Sequence, residues 1–251
     1  MHHLLTLPLP PVYSRRRFCA QRMLLLMLLS VFAATAMATP SGSSPNAPDF
    51  RSEATQQRIV ILGDSLTAGF GLDDEEAYPA VLEKMLIDAN LDQKWTVVNA
   101  GVSGDTTADG LHRLDWLLRQ PISILIVALG GNDGLRGLNV KVTEANLQAI
   151  IDEARAKYPN VRVFIAGMLM PPNMGGDYTT AFAAIFPRVA ARNHATLLPF
   201  LLDGVAGKPD LNQPDGIHPN ADGAKIVAAN VWKYLEPMLN ADAPASLAKA
   251  S

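Results

Sequence analysis

The run Ile122-Ser123-Ile124-Leu125-Ile126-Val127-Ala128-Leu129 constrains the fold more than any other part of this chain. A strand with one face in water alternates polar and apolar residues. This run does not alternate, so both of its faces must be covered. Such strands belong in parallel sheets between layers of helices. Shorter apolar runs at Ile59–Leu62, Thr96–Val98, Val161–Ala166 and Thr196–Pro199 supply further candidate strands. The segments between them carry helical spacing, first at Leu111, Leu114 and Leu118, then at Leu147, Ile150, Ile151, Ala154 and Tyr158, and last at Val227, Val231, Leu235 and Met238. Strand followed by helix, repeated, predicts an α/β domain over residues 58–240. Because parallel neighbours need crossover connections, the expected form is a doubly wound, flavodoxin-like three-layer sandwich on a five-stranded parallel sheet.

The first 38 residues read as an export signal rather than as part of that domain. The basic stretch Ser14-Arg15-Arg16-Arg17-Phe18 leads into the apolar run Met23 to Ala34, and Ala36-Met37-Ala38 fits a signal-peptidase site. The apolar run is short for a membrane span, although an uncleaved anchor shares the pattern. Ser14-Arg15-Arg16-Arg17-Phe18 also fits a twin-arginine signal, whereas the strongly apolar Leu24 to Leu29 favours the general secretory route. Residues 39–57, rich in Pro, Ser, Gly and Ala, read as a flexible lead-in, and 241–251 as a flexible tail. Without residues 1–38, Lys+Arg falls from 21 to 17 against 24 acids, a net charge of −7. That balance, with no basic cluster, argues against nucleic-acid binding. The lone Cys19 precedes the apolar run, so the exported chain has no disulfide, no thiolate metal site and no thiol nucleophile. The expectation is a periplasmic or secreted bacterial protein with no membrane span in its mature form.

In doubly wound sheets ligands sit beyond the carboxyl ends of the strands. The residues that follow each predicted strand are therefore the ones that can carry chemistry. Gly63-Asp64-Ser65-Leu66 follows the first and Ser103-Gly104-Asp105 lies after the second. Gly130-Gly131-Asn132-Asp133 follows the third, and Asp215-Gly216-Ile217-His218-Pro219 stands just before the closing helix. A serine hydroxyl needs a base to take its proton, and the base works best when a third group orients it. Asp215 and His218, three apart in one turn, can supply both, with Ser65 at a strand end to meet them. A carbonyl under attack needs fixed donors for its developing charge. Asn132 offers a side-chain amide, and Gly104 and Ser65 offer backbone N–H groups. Taken singly, Ser65 and Asn132 are equally well read as a turn serine and a turn amide.

Gly63-Asp64-Ser65-Leu66, Gly104, Gly130-Gly131-Asn132-Asp133 and Asp215-Gly216-Ile217-His218 together resemble, in order and spacing, the four blocks of the SGNH hydrolases, also known as GDSL esterases. The longer strings Ser103-Gly104-Asp105-Thr106 and Leu129 to Gly137 resemble the bacterial thioesterase I, arylesterase and lysophospholipase branch. The resemblance covers roughly Ile59 to Leu239. It implies Ser65 as nucleophile, Asp215 and His218 as its partners, and an oxyanion hole of Ser65, Gly104 and Asn132. It also implies a small-molecule acyl ester or thioester substrate and no cofactor. Gly63-Asp64-Ser65 does not extend to the G-x-S-x-G elbow, so the common α/β-hydrolase reading fails.

The remaining motifs read more plainly. Asp64 could ligate a metal but more simply holds its turn by accepting nearby backbone N–H groups. His112 and His194 have no partner at metal-ligand spacing. His218 and Asp222 lie four apart, but Asn220 between them reads as the N-cap of the closing helix after Pro219, so no metal is expected. Gly69-Phe70-Gly71 lacks the third glycine of a dinucleotide fingerprint. Met168-Leu169-Met170-Pro171-Pro172 either lines an acyl pocket or merely ends a buried strand. Two further functions compete with the esterase: a carbohydrate O-deacetylase on the same scaffold, and a non-catalytic acyl- or glycan-binding protein.

Overall fold

The computed structural model describes residues 56–240. The predicted signal peptide and tail lie outside the described residues, as does the lead-in up to residue 55. The chain alternates strand and helix throughout. It runs β1 (Gln57–Gly63), α1 (Ser65–Ala68), α2 (Tyr78–Asp88), β2 (Trp95–Gly101), α3 (Thr107–Leu117), β3 (Ile124–Ala128) and α4 (Gly131–Leu135). It continues through α5 (Val140–Lys157), β4 (Arg162–Ala166), α6 (Gly176–Ala183), α7 (Ile185–Arg192), β5 (Thr196–Leu198) and α8 (Ala221–Asn240).

The five strands form one sheet in the order β2-β1-β3-β4-β5, every neighbouring pair parallel. All five residues of β3 are buried, the property its sequence demanded. Its chemistry also explains the order, since a strand with two apolar faces is stable only inside the sheet. The edge strands β2 and β5 keep partly exposed residues. Right-handed crossovers put the helix linking β1 to β2 on one face, and those linking β2, β3, β4 and β5 in the opposite direction on the other. The packing follows that rule: α2 lies against α8, whereas α3 packs on α5 and α5 on α7. This is the three-layer sandwich expected, with its core in the side chains of both sheet faces.

Local differences from the sequence reading have simple causes. β2 runs from Trp95 to Gly101, beyond the apolar core Thr96–Val98, because β1 offers a backbone partner at every position from Gln57 to Gly63. For the same reason β1 takes up Gln57, the last residue of the predicted lead-in. Helix α2 was not anticipated. Pro79 starts it, and it buries Tyr78, Leu82 and Leu86 at four-residue steps. In α8 the buried stripe runs Val227, Val231, Leu235 and Leu239, while Met238 is only partly covered. No helix among the described residues is long and apolar enough to cross a membrane.

Candidate active site

The strand order reverses direction between β1 and β3, and open α/β sheets bind ligands in the crevice at that switch point. Ser65 leaves the end of β1 and Asn132 follows the end of β3, so both border this crevice. Asp64 caps α1: its Oδ1 accepts from the Leu66 N–H at 3.0 Å, which makes Ser65 the first helical residue. β2 ends directly beneath. A Cβ on Gly101 would stand 2.2 Å from the Ala68 nitrogen, so only glycine lets this strand end approach α1.

The turn before α8 supplies the opposite wall. Asp215 Oδ1 accepts from the Ile217 N–H at 2.8 Å and the His218 N–H at 3.0 Å. Its Oδ2 accepts from His218 Nδ1 at 2.7 Å. With Nδ1 committed as donor to a carboxylate, Nε2 of the neutral ring is an acceptor, and the Ser65 hydroxyl stands 2.9 Å from it. Gln213 ties this turn to the Ser65 side, donating through Nε2 to the carbonyls of Pro219 at 3.0 Å and Phe70 at 2.5 Å. Phe70 lies against the imidazole, with ring centroids 4.7 Å apart. The hydrogen bonds from the His218 N–H, the imidazole and the Ile217 N–H pull the Asp215 carboxyl down to about 2. The Asp215 side chain is 36% exposed, so solvent screens its charge and its main effect is to orient the ring.

The donors sit across the crevice. Among the described residues neither the Ser65 N–H nor the Gly104 N–H has an acceptor, and both line one cavity with the Asn132 side chain. Gly104 adopts φ +88°, a conformation side chains rarely enter. Asn132 donates one amide hydrogen to the Asp105 carbonyl at 2.9 Å. Arg136, four residues on, donates to the Gly104 carbonyl at 2.9 Å, so α4 pins this loop twice. The cavity measures about 570 Å³, within the range of small-molecule sites. Met168, Leu169, Met170, Phe200, Leu202 and Ile217 give it apolar walls, so the stretch from Met168 to Pro171 lines the cavity, while Pro172 does not.

Every residue singled out from the sequence for this chemistry is thus brought to one crevice: Ser65, Gly104, Asn132, Asp215 and His218. Asp64 caps its turn, and Asn220 caps α8 by accepting from the N–H groups of Asp222 and Gly223. Supporting residues were missed. Arg113 donates to the Asp105 carboxylate at 2.6 Å, and to the carbonyls of Gly63 at 2.9 Å and Ala100 at 2.7 Å, so it joins the ends of β1 and β2 to the Gly104 loop. Asp133 accepts from both the N–H and the hydroxyl of Thr107, which fixes α4. The buried Asp133 sits inside the quoted Gly130–Asp133 block, but nothing local marks Arg113.

The GDSL-like Lipase/Acylhydrolase family model matches residues 61–226, a span that holds all five of these residues. The chain is 40% identical over 188 residues to Esterase TesA of Pseudomonas aeruginosa, covering 74% of this chain and 92% of that protein. It is 41% identical over 191 residues to Thioesterase 1/protease 1/lysophospholipase L1 of Escherichia coli strain K12, covering 75% and 88%. A crystal structure of TesA superposes with a TM-score of 0.69 at 40% identity, covering 72% of this chain and 99% of that one. Its sheet, its crevice and these matches make this chain a member of the GDSL-like lipase/acylhydrolase family.

Proposed function

We propose that this protein hydrolyses carboxylic esters of apolar acyl groups, and acyl thioesters or lysophospholipids of similar acyl part, through an acyl-enzyme on Ser65. The continuous chain Asp215–His218–Ser65, opening on an apolar cavity with unpaired donors, carries this reading. The names of the relatives, an esterase and a thioesterase/lysophospholipase, agree with it.

In this reaction the Ser65 oxygen attacks the acyl carbon while its proton passes to His218 Nε2. The carbonyl electrons move onto oxygen, and the N–H groups of Ser65 and Gly104 and the Asn132 amide donate hydrogen bonds to the oxyanion so formed. The tetrahedral intermediate collapses and the bond to the leaving oxygen or sulfur breaks. The imidazolium returns its proton to that atom. Water then repeats the sequence on the acyl-serine, giving up a proton to His218 and releasing the carboxylic acid and free Ser65. Asp215 keeps Nδ1 protonated in both halves. None of these steps calls for a metal.

The test is a series of nitrophenyl esters from acetyl to octanoyl, on wild type and Ser65→Ala. We expect kcat/KM to rise with acyl length and turnover to vanish in the variant, with its circular dichroism unchanged. A serine-directed phosphonate should add its mass to the peptide holding Ser65. Retained turnover in Ser65→Ala would refute the acyl-enzyme. A preference for acetyl esters that extends to acetylated sugars would favour the O-deacetylase instead. Turnover by neither variant nor wild type would favour the non-catalytic binder.

We infer that the chain is exported to the periplasm or beyond, on the strength of Arg15–Arg17, the apolar run and Ala36-Met37-Ala38. Protein recovered from its native host should then begin near Thr39, and a retained apolar segment on sequencing would mark an anchored form instead.

A further inference from the structure

Asp64 is a carboxyl that the reaction above leaves unused, although it adjoins Ser65 and is only 3% exposed. Its two oxygens have different neighbours. Oδ1 accepts from the Leu66 N–H at 3.0 Å and caps α1. Oδ2 faces the Asn132 amide nitrogen at 3.5 Å, the outer limit of a hydrogen bond. That nitrogen has two hydrogens, and the Asp105 carbonyl takes one of them at 2.9 Å. The other is left to the Asp64 carboxylate and to the cavity that Asn132 lines. A donor held this loosely, by charge more than by a short bond, can turn to an incoming oxyanion without losing a strong partner.

We propose that Asp64 is a positioning residue for the oxyanion hole, its ionised Oδ2 keeping the second Asn132 N–H on the cavity side until that N–H turns to the carbonyl oxygen under attack. The proposal rests on the reading of Asn132 as an oxyanion donor. Capping alone does not require a carboxylate here, since asparagine caps a helix as well as aspartate does. The Asn132 amide needs an acceptor facing it; with Oδ1 taken by the Leu66 N–H, amidation would put an NH2 there, and protonation would remove the charge that holds the amide.

The charges around Asp64 bear on its titration. Burial pushes its carboxyl up to about 6; the Leu66 N–H and His218 draw it down, and Asp105 raises it further. Tyr78 lies on the α2 side with its hydroxyl 2.8 Å from that of Thr67. The Arg113 guanidinium, on the α3 side, is engaged by Asp105 and by the Gly63 and Ala100 carbonyls. Asp133, on α4, is occupied by Thr107 and Thr143. As pH falls through about 6, Asp64 takes a proton and its hold on Asn132 ends. The acid limb of kcat should therefore carry two ionisations, those of Asp64 and the imidazole.

The test is a double-mutant cycle of Asp64→Asn, Asn132→Ala and the pair, with kcat, KM and pH profiles on a nitrophenyl ester. We expect Asp64→Asn to lower kcat by roughly tenfold or more with KM little changed, and its acid limb to keep a single ionisation. In the Asn132→Ala background the same substitution should change kcat less than about twofold. If Asn132→Ala leaves kcat intact, the oxyanion reading itself fails. If Asn132→Ala lowers kcat but the Asp64→Asn effect adds in full, or Asp64→Asn leaves kcat equal or higher, Asp64 does not act through Asn132. Should Asp64→Asn not fold, the profiles of wild type and Asn132→Ala decide: the second ionisation must be present in the first and absent in the second.

Discussion

Asn132 shows how much one side chain in this site must do at once. It anchors the Gly104 loop through the Asp105 carbonyl and keeps a second N–H beside the cavity. Asn132→Ala should lower kcat by about two to three orders of magnitude, the usual cost of one oxyanion donor, with KM within about twofold. Steady-state kinetics checks this, and an affinity loss alone would place Asn132 in ground-state binding. The variant should keep the acid limb that belongs to His218, because the base is untouched. That Ser65, Asp215 and His218 would meet was legible because their signals are local: a serine at a strand end, and an acid and a histidine within one turn. Arg113 was not, since its partners lie 8, 13 and 50 residues away. No spacing rule connects them; only the sheet order brings the ends of β1 and β2 under one guanidinium.

Ser65 and His218 sit at the starts of two helices, and each start is fixed by its capping residue. α1 is a single turn whose start Asp64 sets, while Gly101 makes room beneath it. α8 is capped by Asn220, two residues after His218. Asn220 accepts from Asp222 N–H at 3.1 Å and Gly223 N–H at 3.0 Å, and donates to the Asp210 carbonyl at 2.9 Å. Asn220→Ala removes this cap and that bond, and should reduce stability by about 1–2 kcal/mol. Urea unfolding measures the loss; unchanged stability would mean that water replaces both bonds in full. A few-fold fall in kcat should accompany it, because the cap anchors the turn that aims the imidazole. The cap was readable from Pro219-Asn220, and the four-residue spacing of Tyr78, Leu82 and Leu86 marks α2 just as locally, although the sequence reading passed over it.

For the molecule as a whole, topology decides where chemistry is possible. All five strands point the same way, so their carboxyl ends and the polar loops after them gather on one edge, and the reversal between β1 and β3 opens the crevice there. The apolar cavity wall has a different origin, with Met168 to Pro171 coming from beyond β4, Phe200 and Leu202 from beyond β5, and Ile217 from the turn before α8. The sequence by itself determined the layers and the residues that gather in the crevice, because strand period, helix period and turn chemistry act over a few neighbouring residues. Only the tertiary structure decided the cavity, the Arg113 junction and the approach of Asp64 to Asn132. Those depend on side chains far apart in the chain sharing one space, and hydrophobic burial, being non-directional, leaves no local mark of which distant residues will meet.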